Sequence, residues 1–328
     1  MHGAIGLVPL VAVARERGLD AELLLQSAGI APATVDDPTA SVPDARVHAF
    51  VSLLLERSGD PTLGLAAGRH YNLATFGILG AVAAVTSSPR EVIRLFVKYQ
   101  HLTYTYFLLD FDEAAQQLVF VPDGDLGPLH RFYLDRELAF VFRTARKMWP
   151  ASYRAMFREL VFDYPAPPEA DAYERHFGAP VRFAADCAMV RLDLSAEPPP
   201  STLNPLGSSE LNRHLEAFAA IDTTGDVAQR TRSAVMMSVG ARQHLPTIEE
   251  IAVRLGRSVR TLRRELATLN TTFRDISDEV VVTLARRYLR DRSLSVETIA
   301  ERLGYAEASS FLRAFRRITG ETVGSARR

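Results

Sequence analysis

The stretch Ile248-Glu249-Glu250-Ile251-Ala252-Val253-Arg254-Leu255-Gly256 returns 48 residues later as Val296-Glu297-Thr298-Ile299-Ala300-Glu301-Arg302-Leu303-Gly304, with six of the nine positions identical. Each copy places apolar residues at helical spacing, ends in glycine, and is followed by a second stretch rich in arginine. Two short helices joined by a tight glycine turn make a helix-turn-helix. Two such units close together predict a protein that reads two successive major-groove faces of DNA.

The details of each copy follow the same logic. Thr247 and Glu250, after Pro246, fit a capping box for the first helix, and Gly256 supplies the turn. Ser258 is the expected cap of the second helix, in which Val259, Leu262, Leu266 and Leu269 share one face. Arg257, Arg260, Arg263 and Arg264 occupy the other. A guanidinium can bond guanine O6 and N7 together or clamp a phosphate, so this is recognition-helix chemistry; the alternative is an ordinary solvated cationic face. In the second copy Phe311, Phe315 and Ile318 point inward, leaving Ala308, Ser309, Arg313, Arg316 and Arg317 for the DNA side. Thr272–Arg290 predicts one connecting helix. At ~1.5 Å per residue it spans roughly 28 Å, close to the ~34 Å between successive major-groove faces.

Charge is distributed to match. Residues 241–328 carry 17 arginines against 11 acidic residues, whereas residues 1–240 are net acidic, and the whole chain of 328 residues has a formal charge of −1. A basic quarter on an acidic body fits a nucleic-acid footprint. Cys187 is the only cysteine, which excludes an internal disulfide or a thiolate zinc cluster and suits a reducing compartment. The apolar run Ala4–Ala14 is too short to span a bilayer and lacks the basic start of a signal peptide, so a cytoplasmic protein is expected.

Upstream, Asp20 caps a helix ended by Gly29, Asp44 opens another that runs to Ser58 before Gly59, and Pro89 starts a third over 90–101. The period then shortens. Thr103–Phe111 and Gln117–Val121 read as a hairpin, Leu129–Trp149 as a long helix, and Leu160–Tyr164, Val181–Phe183 and Ala188–Leu194 as further strands. The expected fold is an α+β regulatory domain over 1–195, a proline-rich linker and connecting helix over 196–227 beginning near Pro198-Pro199-Pro200, and an all-α domain with two helix-turn-helix motifs over 228–328. Helices are also expected over Ser208–Ala219 and Val227–Gly240.

Tyr99, His101, Tyr104 and Tyr106, with His130, Arg131 and Tyr133 on the next helix, mix aromatic and polar groups that suit a small-molecule pocket; an ordinary core with polar edges is the alternative. His70, His101 and His130 lack ligand spacing, and no HExxH, GxSxG, P-loop or GxGxxG occurs. No catalytic residue, metal or cofactor is expected.

Residues 228–328 resemble the DNA-binding domain of the AraC/XylS family of bacterial transcription regulators, through "IEEIAVRLGRSVRTLRREL", "LARRYL" and "SVETIAERLGYAEASSFLRAFRRITGET". "ERGLDAELLLQSAGI", "RSGDPTLGLAAGRH" and "ATFGILGAVAAVTSSPREVIRLFVKY" are similar to the N-terminal half of its OruR/VirS-like subgroup, described as an arabinose-binding-like domain. The resemblance implies a one-component regulator that binds promoter DNA and a small-molecule effector, meets RNA polymerase if it activates, and pairs as a homodimer through the 208–240 helices or the N-terminal domain. It carries base and phosphate contact over to Arg260, Arg263, Arg264, Ala308, Ser309 and Arg313. The chain departs from the family pattern at Val280-Val281-Val282, at Glu265, at Ala306 where a Ser-like cap is usual, and at Val323 and Ala326 in the tail "ETVGSARR". Restoring the cap by Ala306→Ser is expected to stabilise the helix. A family-derived binding protein with weakened DNA affinity is the second reading, and an enzyme built on the N-terminal domain the third.

Overall fold

The computed structural model describes residues 2–37, 40–195, 213–216, 227–290 and 294–327. The linker expected over 196–227, and most of the helix expected over Ser208–Ala219, lie outside these; residues 213–216 within that helix are helical.

The N-terminal part begins with a two-residue pairing of β1 (His2–Gly3) and β2 (Ser41–Val42) around α1 (Val8–Glu16) and α2 (Ala21–Ser27). Asp20 caps α2 by accepting from the Leu23 amide. There follow α3 (Asp44–Ser58), α4 (Leu63–Gly68), α5 (Gly77–Val85) and α6 (Pro89–Lys98), the last capped by Ser88. The hairpin forms as β3 (Phe107–Asp112) and β4 (Gln117–Pro122). It starts later than expected because residues 100–102 form a tight turn, and the Gln100 side chain bonds the Leu109 main chain on both sides. Then come α7 (His130–Met148), α8 (Tyr153–Met156), β5 (Phe157–Val161), α9 (Ala170–Phe177), β6 (Val181–Arg182) and β7 (Ala188–Leu192). The five-stranded sheet has the order β3-β4-β7-β5-β6, antiparallel except for the β5–β6 pair.

The helical part consists of α10 (Val227–Arg242), α11 (Ile248–Arg254), α12 (Val259–Thr268), α13 (Phe273–Arg290), α14 (Val296–Arg302), α15 (Ala308–Thr319) and α16 (Val323–Ala326). The fold is therefore an α+β domain followed by an all-α domain with two helix-turn-helix units joined by a long helix, α13.

The pleat of the sheet ties the two parts together. Along β4, Leu118 and Phe120 belong to the N-terminal core, whereas Val119 and Val121 belong to a second core shared with the C-terminal helices. Successive side chains of a strand point to opposite faces, so one face of the sheet holds α6 and α7 and the other receives α10. Gly240 makes that approach possible: a Cβ there would lie 2.5 Å from Cγ1 of Val121. Val235 and Val239 of α10 are fully buried, and Met236 and Met237 nearly so. This helix, expected as a dimer contact, is enclosed between the sheet and α13 of its own chain.

Candidate nucleic-acid interface and effector cavity

Local sequence builds each helix-turn-helix. Thr247 accepts from the Glu250 amide while the Glu250 carboxylate accepts from the Thr247 amide, which satisfies two otherwise orphaned donors at the start of α11. Those bonds, with His244, hold the Glu250 carboxyl below its ordinary range. Gly256 and Gly304 both take a left-handed backbone (φ +65° and +80°), which favours glycine. At Gly304 a Cβ would also meet the Leu245 amide nitrogen at 2.6 Å. Each turn closes identically, Arg257 N–H to Ala252 O and Tyr305 N–H to Ala300 O.

The copies then diverge. Ser258 caps α12 as expected, accepting from the Thr261 amide at 3.1 Å. In the second copy the turn is one residue longer, so the N-cap of α15 is Glu307 and not Ala306, and its side chain caps no amide. The expectation for Ala306 is corrected on this point: position 306 lies in the turn, one residue before the N-cap.

Leu262 and Leu266 of α12 and Phe311 and Phe315 of α15 are buried, while Val259 and Ile318 are partly buried and Leu269 is exposed. Arg260, Arg263 and Arg264 project from α12, and Arg313 and Arg316 from α15, all exposed and without an ion pair among the described residues. The Arg313 guanidinium donates to Ser310 Oγ, and exposed Ser309 donates to Glu307. Ala308 is half-buried. Arg257 pairs with Glu265 at 3.3 Å. Arg317 donates twice to Asp278 of α13, at 2.8 and 2.9 Å, which pins α15 to the connector.

The departures serve the core. Val280 and Val281 are buried, so neither position is open to a phosphate. Burying a valine gains roughly 1.5–3 kcal/mol, more than its loss of helix propensity, and α13 runs unbroken through them. Val323 is buried too, and Thr322 with Ser325 forms a capping box for α16; Ala326 is partly buried.

In the N-terminal domain the aromatic residues singled out from sequence do not share one pocket. Tyr106 and Tyr133, with Tyr71, surround the buried guanidinium of Arg136 at 5.0–5.9 Å, and that guanidinium donates to Tyr104 O and to Glu137. Burial pushes the Tyr71 hydroxyl up to about 12. His130 is hydrogen-bonded to buried Asp163 at 2.7 Å. Arg131 bonds Tyr173 and Glu169. Tyr99 packs on Leu79, Val82 and Leu215. The side chain of His101 lies outside the described residues.

The cavity, of about 90 Å³, lies instead between α6, α7 and the sheet. Phe96, Phe140, Leu118, Phe120, Val190 and Trp149 line it, with Glu137 and three threonines as its polar groups. Sequence patterning missed it, because its wall is made from alternate residues of strands far apart in the chain. Tyr104 borders a smaller neighbouring pocket of about 10 Å³.

Two contacts join the domains on the helix-turn-helix side. Arg302 of α14 pairs with Asp186, and Arg254 of α11 lies 3.9 Å from Asp110 of β3. Among the described residues no group of His, Cys, Asp and Glu could hold a metal ion, and no helix is long and apolar enough to cross a membrane.

An α+β domain docked on paired helix-turn-helix units with arginine-bearing second helices defines a DNA-binding regulator. Residues 18–196 match the N-terminal arabinose-binding domain of AraC transcription regulators, and residues 251–328 match a helix-turn-helix domain. The chain belongs to the AraC family of transcription regulators. It is similar to the ornithine utilization regulator of Pseudomonas aeruginosa, with 27% identity over 322 residues covering 97% of this chain and 93% of that protein. An uncharacterized HTH-type transcriptional regulator of Mycobacterium bovis is 27% identical over 334 residues, covering 95% and 92%. Among solved structures, the transcriptional regulator CdpR from Pseudomonas aeruginosa aligns with a TM-score of 0.39 and 23% identity, covering 94% of this chain and 98% of that one.

Proposed function

We propose that the protein is a one-component cytoplasmic regulator in which a small molecule bound in the N-terminal domain controls how α12 and α15 dock in successive major grooves of promoter DNA. The observation that carries this reading is the pair of recognition helices, each with an exposed arginine face, joined through the 18-residue helix α13. At ~1.5 Å per residue that helix is about 27 Å long, near one turn of DNA. Arg260, Arg263, Arg264, Arg313 and Arg316 serve base edges and phosphates, Ser309 and Ala308 approach the bases, and Arg257 and Arg317 exchange their carboxylate partners for phosphate or hold their helices in place. The functional units are residues 1–195 and 228–328, joined by 196–227. Two chains pair through the N-terminal domain, and an activating member of such a pair meets RNA polymerase.

The cavity is the effector site in this reading. Its wall and the seat of α10 are opposite faces of β3 and β4, so a ligand that moves Leu118 or Phe120 moves Val119 and Val121 with them.

The test is binding of the full chain to DNA flanking its own coding sequence, across a salt series. Sequence-specific binding should fall linearly in log–log salt with a slope of about 0.9 per phosphate neutralised, and Arg264→Ala and Arg313→Ala should each weaken it. Binding that ignores sequence and both substitutions would remove the proposal.

A further inference from the structure

The chemistry of the cavity limits what it accepts. Its walls are apolar side chains from α6, α7 and one face of the sheet, on β3, β4 and β7. Of its polar groups, the Thr103 hydroxyl already donates to Gln100 O at 2.6 Å, and the Thr105 hydroxyl accepts from the Phe107 amide at 3.0 Å. Glu137 is the charged residue of the lining, and its carboxylate accepts from the buried Arg136 guanidinium, which also donates to Tyr104 O and sits among the rings of Tyr71, Tyr106 and Tyr133. Among the described residues the lining itself contains no lysine, arginine or histidine.

A sugar brings several hydroxyls that such walls cannot satisfy, and burying an unmatched hydroxyl is unfavourable. A free amino acid brings a carboxylate for which the lining offers no cation. At about 90 Å³ the cavity is smaller than the ~150 Å³ in which an engineered apolar cavity takes up benzene, which limits the ligand to fewer than six carbons.

Resting on the reading of this cavity as the effector site, we propose that it binds a compact uncharged molecule with an apolar body and a single hydroxyl that donates to Glu137, and not the sugar of the family's name or an amino acid. Trp149 is the only tryptophan of the chain and lines the cavity, so its emission reports occupancy directly.

The experiment titrates the full chain with 2-butanol, butanoate, L-arabinose and L-ornithine while following Trp149 fluorescence. The same titrations are repeated in Val141→Phe, which fills the cavity from the partly exposed face of α7, with Thr144→Leu as a second filling variant should the first melt early. The expected result is a saturable change with 2-butanol, roughly tenfold or weaker binding of the carboxylate because no cation lines the cavity to pair with a buried charge, and none with arabinose or ornithine. Both filling variants should abolish the 2-butanol response while keeping their far-ultraviolet dichroism. Glu137→Gln should narrow the gap between alcohol and carboxylate. Equal or stronger response to the carboxylate, arabinose or ornithine, lost in the filling variants, overturns the ligand class and leaves the cavity as the effector site. A response that survives filling, or no response to any probe, overturns both.

Discussion

Arg254 and Arg302 occupy the same position in the two copies of the repeat, and each reaches a carboxylate of the N-terminal domain, Asp110 in β3 and Asp186 ahead of β7. The first helix of each DNA-reading unit is thus attached to the opposite domain through the same side of the same motif. Arg302 is the firmer of the two, since its guanidinium also lies 5.6 Å over the Tyr288 ring. Removing the pair by Asp186→Ala and Arg302→Ala should give a double-mutant coupling of about 0.5–1 kcal/mol, the range for a partly exposed ion pair. Urea unfolding of the two single variants and the double variant measures it. Full additivity would mean that the contact does not hold the domains together.

Gly240 sets how closely α10 meets β4. Gly240→Ala forces a Cβ to 2.5 Å from Val121 and should destabilise the chain by about 1–3 kcal/mol, through overpacking. Val121→Ala should relieve part of that loss when combined with it. If the double variant is no better than the sum of the singles, the strain lies elsewhere.

Glu307 is the N-cap of α15 without a capping side chain, and Ala306 lies in the turn before it. Glu307→Ser should therefore stabilise the protein by about 0.5–1 kcal/mol, whereas Ala306→Ser should leave it unchanged. Thermal midpoints of the two variants decide between this placement and a helix that starts one residue earlier.

Asp135 is fully buried in α7, where it accepts from the Tyr164 and Tyr173 hydroxyls at 2.5 and 2.7 Å. Burial, against those bonds and nearby Arg131, pushes its carboxyl up to about 7. The folded protein thus keeps a proton that the unfolded chain releases near pH 4, so this group's contribution falls as pH rises from about 4 through about 7. Asp123, raised by burial, acts in the same direction, while His176, lowered by burial, opposes it below its ordinary value. Comparison with Asp135→Asn isolates the effect: the stability difference, wild type minus variant, should drop by roughly 2 kcal/mol between pH 5 and 7.5. A pH-independent difference would show that the two tyrosines hold Asp135 ionised throughout.

The helix-turn-helix units were legible because their information is local. Asp20, Thr247, Ser258 and Gly256 mark helix ends through bonds spanning three residues, and the spacing of Leu262 with Leu266, or Phe311 with Phe315, states which face is inward. The second turn misled because its extra residue carries no local signature beyond the loss of a serine. The aromatic residues are arranged by tertiary packing. Tyr106 and Tyr133 converge on the buried guanidinium of Arg136, which also donates to Tyr104 O.

By itself the sequence determined the two DNA-reading motifs, their connector and the α+β character of the rest, since periodicity, caps and turn glycines act over a few residues. Only the tertiary structure decided where the cavity lies, that β4 divides its residues between the cavity and α10, and that repeat-equivalent arginines find Asp110 and Asp186. Those relations depend on which strands pair and which face of the pleat each residue occupies, and residues that are far apart in the chain carry no local mark of meeting.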